Sequence, residues 1–278
     1  MSIRILCLGE IVGRPGIHTV KSVVRNLRTE KNINLVIANG EGATNGFGLG
    51  KNHAIQLLKL GIDILTGGEK IYFKMDMVDY IERNSSILRP ANYPMGTPGR
   101  GIRYVKLPGS GVTVAVITLL GTTDFPRTHL ANPFALAASM VEKARQETPF
   151  VIMQFHASTT AEKNTMAFHL DGKVTAMVGT HSKVLTADAR IFPQGTAMIT
   201  DNGRCGSTMS VGGFAPDREI EKLITQIPVR SMECWDSLEA QGVLIEADDS
   251  GKAVSIETLR IPVATPEQHA DTGASDEE

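Results

Sequence analysis

Residues 3–16 read IRILCLGEIVGRPG, and this stretch decides the fold class. A run over 3–8, apolar but for Arg4, has the length of a buried strand, Gly9 ends it, and Pro15 opens a helix that places Ile17, Val20, Val24 and Leu27 on one face. The same β-turn-α unit recurs as LVIAN at 35–39 with a helix near 52–60, and as IDILT at 62–66 with a helix near 72–83. Strands alternating with helices predict an α/β layered fold. The segment YVKLPGSGVTVAVITL, within 104–119, then reads as a hairpin around a Pro-Gly-Ser-Gly turn. A second series follows: a helix near 132–147, a strand at 150–155, a helix near 159–169, and strands at 174–179 and 196–200. A last hairpin folds about Asp248-Asp249-Ser250-Gly251. No repeat or long linker divides the chain, so residues 1–262 are expected to form one domain. Residues 263–278, small, polar and acidic, are expected to form a disordered tail.

The bulk composition narrows the function classes. Of 278 residues, 42% are apolar and 21% charged, which is ordinary for a soluble globular chain. Lys plus Arg number 28 against 30 Asp plus Glu, so no net positive field draws in nucleic acid nonspecifically. A small phosphorylated ligand or a protein partner fits better. Cys7, Cys205 and Cys234 lie far apart without CxxC spacing, against both a disulfide framework and a zinc knuckle, and the cytoplasm is the expected compartment. No apolar stretch approaches the roughly 18 residues that span a bilayer, and the N-terminus lacks the layout of a signal peptide.

Unusual polar residues gather where the expected strands end: Glu10, then Asn39 and Glu41, then Glu69 and Lys70, then His156, then His181 and Lys183. In open α/β sheets ligands bind beyond the carboxyl ends of strands. Carboxylates and imidazoles from separate strand ends form the donor set for Zn, Fe or Mn, and Gly-rich connections let backbone approach a phosphate. Taken singly, each residue has a plainer reading: a lone His after a strand is more often a hydrogen-bonded structural residue. His18, His53, His129 and His269 lack such company and read as surface or packing residues. The segment RPANYPMGTPGRG at 89–101 reads first as a structured loop.

In order, LGEIVGRPG, NGEGATNGFGL, TGGEKIY, RPANYPMGTPGRG, QFHAS, GTHSKVLTAD and GTAMITDNG resemble the signature segments of the YmdB family, from about residue 3 to about 230. The resemblance implies a four-layer calcineurin-like metallophosphoesterase sandwich, with two mixed β-sheets face to face and helices outside, often in homo-oligomers. It also implies dinuclear phosphodiesterase chemistry on cyclic nucleotides. Carried over by residue, Glu41, His156 and His181 keep the family's ligands. Glu10 stands for its Asp, Gly42 for its Asn, Glu69 for its ligand Asn, Lys70 for the His that protonates the leaving group, and Lys183 for its last His. One metal position, Glu41, Glu69, His156 and His181, then remains whole and could take one divalent ion (Fe, Mn or Zn), or none.

The second metal position, with Glu10, Gly42 and Lys183, is degenerate, because glycine offers no side chain and an ammonium no lone pair. The Lys183 ammonium is expected in the place of that cation, paired with Glu10 and Glu41. Lys70, charged at neutral pH, would hold an anion more readily than move a proton. Asn39, Lys70 and Lys183 are the candidate phosphate-binding residues. The resulting expectation is a protein that has lost two-metal chemistry and serves binding, regulation or assembly. The alternative is an active mononuclear phosphodiesterase on 2′,3′-cyclic nucleotides or a similar phosphodiester.

Overall fold

A computed structural model describes residues 2–125 and 129–267. The first half runs β1 (Ile3–Ile11), α1 (Gly13–Glu30), β2 (Leu35–Asn39), α2 (Lys51–Lys59), β3 (Ile64–Thr66), α3 (Met75–Arg83) and the short β4 (Ile87–Leu88). The second runs β5 (Ile102–Lys106), β6 (Thr113–Leu120), α4 (Pro133–Glu147), β7 (Phe150–His156), α5 (Thr160–Leu170), β8 (Ala176–Thr180), β9 (Arg190–Ile191) and β10 (Ala197–Ile199). The chain then returns through β11 (Arg204–Ser207), α6 (Pro216–Thr225), β12 (Leu238–Ala247) and β13 (Ala253–Val263).

Two mixed sheets result, ordered β13-β12-β11-β1-β2-β3-β4 and β5-β6-β7-β8-β10-β9. Side chains alternate across each strand and sort into three apolar layers. Leu6 and Leu8 pack outward with Val20, Val24 and Leu57 under α1 and α2, while Ile3, Ile5 and Cys7 face inward. That inward face meets Val114, Val116 and Ile152 of the other sheet, whose outer face, Ala115, Ile117 and Met153, packs beneath α4 and α5 with Val141 and Met166. Helix, sheet, sheet, helix is the expected four-layer sandwich.

Differences from the sequence reading have local causes. β1 continues past Leu8 to Ile11 because Glu10 and Ile11 find a parallel partner in Arg204 and Cys205. β3 begins at Ile64 rather than Ile62, since the Asp63 carboxylate takes the Val36 N–H (2.8 Å) and binds Arg28. The 89–101 segment is a structured loop: Ala91 N–H donates to Thr118 O (2.7 Å), and buried Asn92 donates to Leu120 O (2.8 Å) and accepts from its N–H (3.0 Å). The boundary expected at 262 is corrected. Val263 ends β13, the His18 ring meets Ala264 O at 3.2 Å, and the Thr265 hydroxyl donates to Trp235 O at 2.9 Å. The remainder of the expected tail, 268–278, lies outside the described residues. All three cysteines are free, and among the described residues no helix is long and apolar enough to cross a membrane.

Candidate metal centre

The two sheets present their strand ends at one place and contribute different chemistry. The first sheet supplies acids. Glu10, 1% exposed, is the last residue but one of β1, and Glu41 follows β2. Asn39 Oδ1 accepts the Glu41 N–H (2.9 Å), while Glu41 Oε1 accepts the N–H groups of Gly68 (2.8 Å) and Lys70 (2.5 Å), so one carboxylate knits the second and third loops together. Glu69 then projects from the loop after β3, with Oε1 2.9 Å from Lys70 Nζ. The second sheet supplies imidazoles, His156 as the last residue of β7 and His181 just past β8.

These side chains crowd a single atom. His156 Nε2 lies 2.9 Å from Glu41 Oε2, 2.8 Å from Glu69 Oε2 and 3.0 Å from His181 Nδ1. Its other nitrogen faces Thr180 Oγ1 (2.8 Å) and Asn39 Nδ2 (3.2 Å). Gly68 makes this possible: a Cβ there would fall 2.3 Å from His156 Cδ2, so only a bare backbone lets the ring lie across the loop. Burial pushes the His156 imidazolium toward losing its proton, but the charges of Glu41 and Glu69 outweigh it and raise the pKa to about 10. Burial and the positive charge of His156 push His181 down to about 3, so it is neutral with a lone pair to give. Burial works against the Glu69 carboxylate, yet contacts with His156 and Lys70 hold it well below the usual range.

One imidazole proton cannot serve two carboxylates and a second imidazole at once, and apart from that one contested proton Glu41 Oε2 and Glu69 Oε2 are buried without a hydrogen-bond donor. Donor atoms of Glu69, His156 and His181 lie within 4.8 Å of one another. A divalent ion in place of the proton would satisfy these atoms together, and the donor set fits one. Glu41 borders this group through His156 and is not one of its three compact members.

Other expected site residues fall as follows. Lys183 Nζ lies 3.2 Å from Glu10 Oε1. The Glu41 half of the expected Lys183 pairing is not seen, because both Glu41 oxygens face the His156 and Gly68–Lys70 side. Gly42 lies against Glu10, as a Cβ there would be 2.6 Å from Glu10 Oε1. Asn39 as a phosphate ligand is corrected: its side chain is 1% exposed and committed to Glu41 and His156 beneath the centre. Lys70 points back to Glu69, and its pKa is raised because Glu69, Glu41 and Glu10 together outweigh the opposing effect of burial.

Sequence reasoning missed the supports of the last loop. Fully buried Lys163 of α5 reaches Asp201 Oδ2 (3.0 Å) and Ser182 Oγ (3.2 Å), and the same Asp201 oxygen accepts the Ser182 N–H (2.8 Å). Arg204 Nη1 donates to Lys183 O (2.6 Å). These contacts hold His181 and Lys183 at φ of 105° and 60°, conformations that favour glycine. Asp201 stood inside the ITDNG segment, but Lys163 gave no local signal. Phe125 sets its ring edge-on to His181, with centroids 5.2 Å apart.

Comparison with known proteins agrees with this geometry. The sequence pattern of the YmdB-like protein family matches residues 6–259. The chain belongs to the YmdB-like family. A 2′,3′-cyclic-nucleotide 2′-phosphodiesterase of Bacillus subtilis (strain 168) is 40% identical over 259 residues, covering 93% of this chain and 97% of the relative. A crystal structure described as a novel phosphatase of Mycoplasma pneumoniae superposes with a TM-score of 0.87 at 30% identity, over 94% of each chain. A 5′-nucleotidase precursor of Thermus thermophilus shares the fold alone, with a TM-score of 0.59 at 11% identity over 94% of this chain and 55% of that one. These YmdB-like and phosphatase relatives overturn the expectation of a non-catalytic binding or assembly protein. A metallophosphoesterase family implies a divalent ion, and the Glu69, His156 and His181 set fits one.

Proposed function

We propose that this chain is a metal-dependent phosphodiesterase that hydrolyses 2′,3′-cyclic nucleotides at the centre built on Glu69, His156 and His181, bordered by Glu41. The observation that carries the reading is the crowding at His156 Nε2, where three acceptors compete for one proton on a buried ring. The activity of the 40% identical relative supports the substrate class. Mixed carboxylate and imidazole donors suit Fe, Mn or Zn better than Mg or Ca. Such an ion supplies an activated water and polarises the phosphoryl oxygens.

The chain's own groups do the remaining work. His181 is neutral and gives its lone pair without first losing a proton, whereas His156 must release one. Thr180 Oγ1, beside His156 Nδ1, can accept a hydrogen bond from the N–H that the ligating tautomer carries there. The Lys70 and Lys183 ammoniums place fixed positive charge beside the centre, where a phosphodiester's oxygens are anionic. Lys70 stays charged at neutral pH and therefore binds the anion rather than protonating the leaving oxygen. Hydrolysis of 2′,3′-cyclic AMP with added Mn²⁺, abolished in His156→Ala, is the expected result. Folded, Mn²⁺-loaded protein without turnover would overturn the reading.

A further inference from the structure

We propose that Lys183 is a built-in cation that fills the Glu10 side of the centre, so that each chain holds one divalent ion and not two. The proposal rests on the metal centre described above and concerns how many ions it takes. Glu10 is buried at 1% exposure, and neither carboxylate oxygen has a hydrogen-bond donor. Among the described residues its one ion-pair partner is Lys183 Nζ at 3.2 Å. A carboxylate buried in that state stays ionised only with a cation at close range.

Three features show that the cation is the ammonium. Lys183 is held from several sides: Arg204 fixes its carbonyl, its side chain is 14% exposed, and Nζ sits 5.9 Å from the centroid of the Phe214 ring. Gly42 leaves the space into which the Glu10 carboxylate extends, since a Cβ would stand 2.6 Å from Glu10 Oε1 and 2.9 Å from Ile11 O. No side chain at position 42 can therefore donate to an ion beside Glu10 without displacing that carboxylate. The donor count is also too low for a second ion. Glu41 Oε1 is occupied by two N–H groups and Oε2 faces His156, while the ammonium has no lone pair. The compact donor cluster found among the described residues excludes Glu10.

The three positions thus depend on one another. The longer Glu10 uses the volume that Gly42 vacates, and Lys183 balances the charge that Glu10 carries inward. An ammonium supplies fixed charge to a bound phosphate but activates no water, so that task stays with the ion on the Glu69, His156 and His181 side.

Metal content after reconstitution with excess Mn²⁺ and removal of loose ion, read by mass spectrometry, tests this without reference to activity. The wild-type chain is expected to retain one ion. Two ions per wild-type chain would overturn the built-in cation while leaving the proposed function standing, whereas none would overturn the metal centre itself. The triple variant Glu10→Asp, Gly42→Asn, Lys183→His restores donors and removes the ammonium together, and is expected to retain two. A folded triple variant that still holds one ion would also count against Lys183 as the group that excludes the second. Should it fail to fold, the wild-type count decides.

Discussion

Replacing Gly68 with alanine adds one methyl group where the His156 ring crosses the loop. The new Cβ would lie 2.3 Å from Cδ2, 2.6 Å from Cγ and 2.6 Å from Nε2. Gly68 is not among the residues with positive φ, so alanine meets no backbone penalty and the effect is that of the contact alone. Carbon atoms at rest stand about 3.5–4.0 Å apart, so the ring must retreat by roughly 1 Å. It has little room to do so: Thr180 Oγ1 at 2.8 Å and Asn39 Nδ2 at 3.2 Å back its other nitrogen, and the ring is 1% exposed. Overpacking of this kind costs about 1–3 kcal/mol of stability, and displacing a reacting constellation by about 1 Å costs on the order of 10²-fold in rate. Mn²⁺ affinity by calorimetry, kcat on 2′,3′-cyclic AMP at saturating Mn²⁺, and a thermal melt read the three consequences separately. Gly68→Ala with unchanged Mn²⁺ affinity and kcat within about threefold of wild type would refute the claim that the bare backbone positions His156, since the expected loss is about 10²-fold.

Other outcomes follow from the same contacts. In chelator, the raised pKa of His156 contributes stability that is complete below its ordinary 6.5 and is lost as pH climbs toward about 10, so melts of metal-free protein should fall across that window. Mn²⁺ affinity should rise over the same range, because binding releases the proton; a pH-independent affinity would contradict this. Thr180→Val removes the group behind His156 Nδ1 and is expected to weaken metal binding by about 10–100-fold with the fold intact, measured by calorimetry. Lys163→Met leaves Asp201 buried without its cation and should cost about 3–5 kcal/mol in urea unfolding, with most of it recovered in Lys163→Met/Asp201→Asn.

The layered fold was legible because its strands announce themselves locally. Runs such as 3–8 and 150–155 are apolar apart from Arg4 and Gln154, and Pro15 and Pro133 sit at helix starts. β11 was not legible: Arg-Cys-Gly-Ser has little strand character and becomes a strand because β1 and β12 flank it. α6 did carry a signal, Pro216 followed by apolar residues at 220, 223 and 224, but it buries no residue against the body. Within the centre, the acids and imidazoles could be read from strand ends, where topology brings distant residues together. Lys163 and Arg204 could not, since each acts through partners on other elements. The direction in which a side chain points was also beyond the sequence, and it separates buried Asn39, a support, from Lys70 at the rim.

The division of donors between the sheets has a mechanical consequence. Glu10, Glu41 and Glu69 belong to one layer, His156 and His181 to the other, so each acid–imidazole contact that closes the centre also ties one half of the sandwich to its opposite half. The apolar interior holds the layers together over a broad area, whereas the centre fastens them at one edge, like a clasp on a hinged case. A change anywhere along the inter-sheet seam that lets the halves slide is felt first as a parting of acid from imidazole. Chemistry at this edge therefore reports on the alignment of the whole body.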